Sequence, residues 1–151
     1  MRKIPSIIAV VLSIISLAST CDDNESHVSQ VEPKNVAGRW VLYERGYSPG
    51  SGYITEQIPA NPAQEITLEQ TKRFTSNIQG LSDYKFYEIL DDTNLQVKVL
   101  ALFKAKPEGF VEINNLEHSY NLEVKDGNLR LAYRFCIEGC HMAFKPAKST
   151  N

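Results

Sequence analysis

The sequence predicts an all-β chain: a single small antiparallel up-and-down β-barrel of seven or eight strands. Three observations carry that expectation. Past Asn35 the apolar residues recur at every second position, the period of half-buried strands. Gly, Pro, Asn and Asp clusters cut the pattern at short intervals. No convincing amphipathic helix interrupts it, residues 110–117 being the one doubtful stretch. Closing a meander into a barrel removes its exposed edges. An immunoglobulin-like sandwich is the alternative, but the Cys…Trp…Cys spacing of that fold is absent.

Taken in order, residues 36–45 place Trp40 and Leu42 on one face. Residues 45–62 hold Gly46, Pro49, Gly50, Gly52, Pro59 and Pro62, and read as one long loop near a barrel mouth. Residues 64–68 align Ile66 with Leu68, and 73–78 continue after Thr71-Lys72. Residues 82–90 carry Tyr84 and Phe86 on one face but Tyr87 and Ile89 on the other. That switch implies a bulge or a strand buried on both sides. Asp91-Asp92-Thr93-Asn94 is turn chemistry. Residues 95–104, the most apolar strand, alternate Leu95, Val97, Val99, Ala101 and Phe103 until Pro107 and Gly109. Residues 117–125 align Tyr120, Leu122 and Val124, and Asp126-Gly127 is a hairpin turn. Leu129, Leu131, Tyr133 and Phe135 alternate next, and residues 141–145 close the series with Met142 and Phe144.

The first twenty residues have a different character. Arg2 and Lys3 precede an uncharged run from Ile4 to Leu17, the order and length of a secretory signal. Ala18-Ser19-Thr20-Cys21 follows and resembles the lipobox of bacterial lipoproteins. The resemblance implies cleavage before Cys21, a diacylglycerol on its thiol and palmitate-type acylation of the chain. Leu17 stands four positions before the cysteine, where the pattern has it three before, and Thr20 replaces Gly, Ala or Ser. Ser16-Leu17-Ala18 also forms an ordinary signal-peptidase site, which would leave Cys21 near a soluble N-terminus. Cysteine arithmetic favours lipidation: it leaves Cys136 and Cys140 as an even pair.

The expected organisation is a signal peptide over 1–20, an acidic tether over 21–35, a barrel over 36–146 and a tail over 147–151. Asp22, Asp23 and Glu25 resemble signals that route lipoproteins to the cell surface in some Gram-negative bacteria; in others an Asp there retains them at the inner membrane. A solvated spacer accounts for the same residues. The expected location is the cell envelope, on either face of the outer membrane. Cleavage takes the basic count from 16 to 14 against 18 acids, a net −4. A mildly acidic domain without a basic stripe is no nucleic-acid binder.

Gly38-Arg39-Trp40 at the start of the first strand resembles the lipocalin signature, in which the Trp packs under the closed end of an eight-stranded barrel. Residues 63–74 and 129–144 are similar to short lipocalin-like lipoproteins of Gram-negative bacteria. There a C-I-E-x-C-type turn sits in the last strand pair; here it is Cys136-Ile137-Glu138-Gly139-Cys140, followed by Phe144-Lys145. The resemblance spans about residues 36–146 and implies a barrel that binds small hydrophobic molecules. It carries no ligand identity, because function lives in the cavity lining.

Cys136 and Cys140 admit three readings: a structural disulfide, a redox couple, or half a metal site with His141. An oxidising compartment favours the disulfide. Zinc wants four ligands and a redox motif wants C-x-x-C. His27, His118 and His141 read as surface or strand-end histidines, and no nucleophile stands in a recognisable turn, so no catalytic residue, metal or cofactor is assigned and the chain is read as a non-enzyme. Trp40, Tyr84, Phe86, Phe103, Tyr133 and Phe135 are the candidate ligand contacts, against the alternative that they are plain core. The partners expected are a membrane through the lipid, a small hydrophobic ligand, and no nucleic acid. An alternative function is an envelope protein-interaction or inhibitor module working through the 45–62 loop and its Tyr47 and Tyr53.

Overall fold

The computed structural model describes residues 33–137 and 139–148. The signal peptide, Cys21, His27, most of the tether, Glu138 and residues 149–151 lie outside them. A helical turn at Pro33–Val36 leads into β1 (Gly38–Tyr47), β2 (Ile54–Gln57), β3 (Glu65–Leu68), β4 (Phe74–Ser76) and β5 (Phe86–Asp92). Then come β6 (Val97–Phe103), a 3₁₀ turn at Ile113–Asn115, β7 (Ser119–Lys125), β8 (Asn128–Tyr133) and β9 (Cys140–Pro146).

Every strand pair is antiparallel, and the sheet runs β4-β3-β1-β9-β8-β7-β6-β5. The ends of that path meet at a bridge between Arg73 and Phe86. Beside it, the Phe74 amide donates to the Lys85 carbonyl at 2.8 Å and the Tyr87 amide to the Lys72 carbonyl at 3.0 Å. The result is a nearly closed eight-stranded barrel, as the alternation predicts. The Asp126-Gly127 hairpin has the geometry its residues favour, with φ of 51° and 75°.

Inward positions of the strands fill the barrel with one apolar cluster, in which Phe74, Phe144, Leu42, Ile66 and Leu129 are at most 1% exposed. Trp40 plugs one end: its indole N–H donates to the Val36 carbonyl at 2.8 Å, so the Pro33–Val36 turn is held beneath it. The opposite end, where β1 and β8 finish and β7 and β9 begin, is the mouth.

Strand β5 is apolar on both faces because it meets two clusters. Tyr87 and Ile89 point inward, while Leu90 joins Val97, Val99, Ala101 and Phe103 of β6 on the outer wall. Val111, Ile113 and Leu116, from the segment after β6, cover that outer patch. Leu95, expected within the strand, lies in the β5–β6 turn and is exposed.

The expected 45–62 loop needs the main correction. Strand β1 runs on to Tyr47, and β2 folds back on it with Tyr47 opposite Ile54 and Glu44 opposite Gln57. The segment 54–57 is exposed at all four positions, so no buried alternation announces it. It is held by pairing with the end of β1, a constraint that lies in another element.

Across the outer wall, Asp92 accepts amide bonds from Asn94 and Leu95, both at 3.1 Å, and pairs with the Arg134 guanidinium at 2.7 Å. The Leu95 amide first, and Arg134 second, hold its carboxyl below the usual carboxylate value. A carboxyl depressed on folding stabilises the fold above its unfolded pKa and loses that contribution as pH falls through the folded value. Asp92→Asn should therefore lower stability near neutral pH and narrow the gap to wild type as the pH becomes acidic. Urea unfolding across that range checks this; a gap independent of pH would contradict it.

Candidate functional site

The mouth holds a cavity of about 350 Å³. Its walls come from the end of β1 (Arg45, Tyr47), the turn after β4 (Ile78, Leu81) and the start of β7 (His118, Tyr120). The end of β8 (Leu131, Tyr133) and the start of β9 (Cys140, Met142) complete it. Volume and lining are those of a small, mostly apolar site carrying a few polar groups. Beneath it the barrel is packed, so the cavity does not continue toward Trp40.

A histidine organises one wall. The His118 Nε2 and the Tyr120 hydroxyl lie 2.8 Å apart, and the imidazole stacks on Tyr84 with centroids 4.6 Å apart. Tyr133 packs against both His118 and Tyr120, at 5.1 and 5.4 Å. Burial, with Lys104 nearby, pushes the His118 imidazole below its ordinary value, and burial pushes the Tyr120 hydroxyl up. Both groups stay neutral at physiological pH and serve as hydrogen-bonding, flat-faced walls.

Of the six expected ligand contacts, only Tyr133 lines this cavity. Trp40 is buried at the opposite end. Tyr84 lies behind His118, half-buried, and lines a neighbouring depression with Phe103. Phe103 belongs to the outer cluster, and Phe86 is its cross-strand partner on the same outer face. Phe135 is exposed, edge-on to Tyr133 at 5.6 Å. His118, Tyr120, Met142 and Arg45 also line the cavity and are not among the expected contacts. The alternation His118, Tyr120, Leu122, Val124 could have placed the first two beside the core strand positions. Arg45 gave no such signal, because a bulge between Leu42 and Glu44 changes which residues of β1 face inward.

Cys136 and Cys140 form a disulfide, with Cα atoms 5.7 Å apart, and Cys140 stands opposite Tyr47 at the rim. His141 is accordingly engaged elsewhere. Its ring is buried on the outer wall, with Nδ1 bonded to the Tyr53 hydroxyl and Nε2 3.0 Å from the Glu44 carboxylate. Gln57 donates to the other Glu44 oxygen at 3.0 Å. His141, chiefly, holds the Glu44 carboxyl below its ordinary value. The chain Glu44–His141–Tyr53 clasps the β1–β2 hairpin onto β9 beside a polar depression of about 410 Å³ that includes Lys125 and Arg130. Among the described residues no group of three His, Cys, Asp or Glu side chains is placed to hold a metal.

Gly46 makes that clasp possible. A Cβ there would lie 2.2 Å from His141 Cε1 and 2.3 Å from the Tyr53 hydroxyl. Gly46→Ala should cost about 1–3 kcal/mol through this overlap. The same change in a His141→Ala background should cost clearly less, as read by a double-mutant cycle in urea. Equal costs in both backgrounds would show that the glycine is not there for the ring.

No family model, curated protein or solved structure matches the chain. The functional reading therefore rests on the site itself.

Proposed function

We propose that the chain is an exported lipoprotein, anchored through a lipidated Cys21, whose lipocalin-like barrel binds a small hydrophobic molecule at its mouth. It binds and does not transform. The observation that carries this reading is the mouth cavity, apolar on most sides, neutral along its aromatic wall, and set above a packed interior. A site of that size suits a small ligand held at the rim rather than a long one threaded down the barrel. The lipobox-like run ending at Cys21 supplies the anchor, and two acyl signals give stable membrane attachment where one gives a marginal one.

A second reading draws on the same end of the barrel. Tyr47, Tyr53, Ile54, Phe135 and Ile137 are all exposed there, and exposed aromatic and aliphatic residues of this kind favour contact with an envelope protein. Ligand capture separates the two, since a rim that works by protein contact needs nothing in the cavity.

Two experiments test the proposal. Cys21→Ser should move the protein from the detergent-requiring membrane fraction to the soluble exported fraction; its persistence on the membrane would reject the anchor. Native mass spectrometry of that released protein, taken from its own envelope, should find a small-molecule adduct that solvent extraction removes and an envelope extract restores. A bare mass both before extraction and after exposure to the extract would reject ligand binding.

A further inference from the structure

Resting on the reading of the mouth as a ligand site, we propose that its ligand is a flat apolar molecule bearing one negative charge, and that Arg45 receives the charge. The bulge in β1 is the origin of the argument. Leu42 stands opposite Phe144 and Glu44 opposite Ala143, so one residue of β1 is extra and the inward set changes from even to odd numbers. Tyr43 and Glu44 both fall on the outer wall, and Arg45, opposite Met142, is turned into the cavity lining.

Arg45 is half-buried in a mostly apolar wall, where its guanidinium gains from an anionic partner. Here its bond is to a neutral acceptor, the Gln64 Oε1, at 2.7 Å. Among the described residues Arg45 forms no ion pair. Glu56 faces it in register from β2, but it is exposed and forms no salt bridge with it. Among the described residues near the mouth, Lys104 stands 5.9 Å over the Tyr84 ring, Arg134 is paired with Asp92, and burial holds His118 neutral. Arg45 thus keeps most of its five donors, in a planar fork suited to a carboxylate, sulfonate or phosphate group.

The rest of the wall sets the shape of what carries that group. His118, Tyr120 and Tyr133 offer ring surfaces, with Ile78, Leu81 and Met142 supplying apolar contact. Rings stack offset or edge-on against such surfaces, so a flat molecule covers them better than a flexible chain does. The volume of about 350 Å³ leaves room for a small ring system and little more.

Two dyes of the same skeleton test this: 1-anilinonaphthalene-8-sulfonate, and N-phenyl-1-naphthylamine, which lacks the sulfonate. The protein is the full chain carrying Cys21→Ser, purified after export, with mutual displacement used to establish that both dyes share one site. Wild type should bind the sulfonate at least tenfold tighter than the neutral dye. Arg45→Gln should bring the sulfonate down to the neutral dye's affinity and change the latter less than twofold. Should Arg45→Gln fold poorly, the wild-type preference should still shrink as salt is raised. Equal affinities in wild type, a preference indifferent to salt, or equal losses for both dyes in Arg45→Gln would overturn the role of Arg45 while leaving the cavity intact. Failure of both dyes to bind would instead overturn the cavity as a ligand site.

Discussion

Everything in this molecule depends on closing the sheet between β4 and β5. The seam is short: one bridge from Arg73 to Phe86, two flanking backbone bonds, and no continuous ladder. Side chains reinforce it. Lys72 pairs with Glu88 at 2.5 Å, and the Tyr87 hydroxyl donates to the Glu69 carbonyl at 2.7 Å, across the same join. Exposed ion pairs contribute little to stability on their own, so the buried phenol and the backbone bonds are the stronger part of the join. Closure removes two free edges and, by narrowing the interior, forces the inward aromatics and leucines into contact. Among the described residues these side chains fill the interior, and the mouth holds the mostly apolar cavity.

The bulge in β1 decides what stands at that mouth. By changing the inward set once, it sends Glu44 and Gly46 outward to meet His141, and Arg45 and Tyr47 inward to meet Met142 and Cys140. The outer clasp and the inner cation are consequences of one inserted residue. The clasp matters to the cavity because β1, whose end lines the mouth, is gripped there on both sides, by β2 and by β9. The disulfide secures the neighbouring β8–β9 connection, closing a loop too short to restrict the unfolded chain by more than about 2 kcal/mol.

Much of the architecture was legible in the sequence because its signal is local. Period-two runs located eight of the nine strands to within a few residues, and Asp126-Gly127 announced its hairpin. Of the two readings the face switch at Tyr84, Phe86 and Tyr87 allowed, a bulge or a strand buried on both sides, the second holds, since β5 meets an inner and an outer cluster. What the sequence hid was set by partners far along the chain. Strand β2 has four exposed residues and exists through its pairing with β1. Arg45 faces inward through a bulge that no residue type marks, and His141 is buried by Tyr53, 88 positions away. The expected ligand contacts, Tyr133 excepted, lie away from the mouth cavity for the same kind of reason. Phe86 and Phe103 look like core aromatics in any strand, but Phe103 packs in the outer cluster with Val111, Ile113 and Leu116, and Phe86 pairs with it on that face.

The proposed reading places a ligand at the mouth, above a packed interior. Methyl NMR of the protein titrated with a small neutral aromatic tests it most directly. The account predicts shifts confined to Ile78, Leu81, Leu131 and Met142, which line the mouth, with Leu42, Leu68 and Leu129 unmoved. Shifts among those deep methyls would mean that the interior opens to ligand and would contradict it.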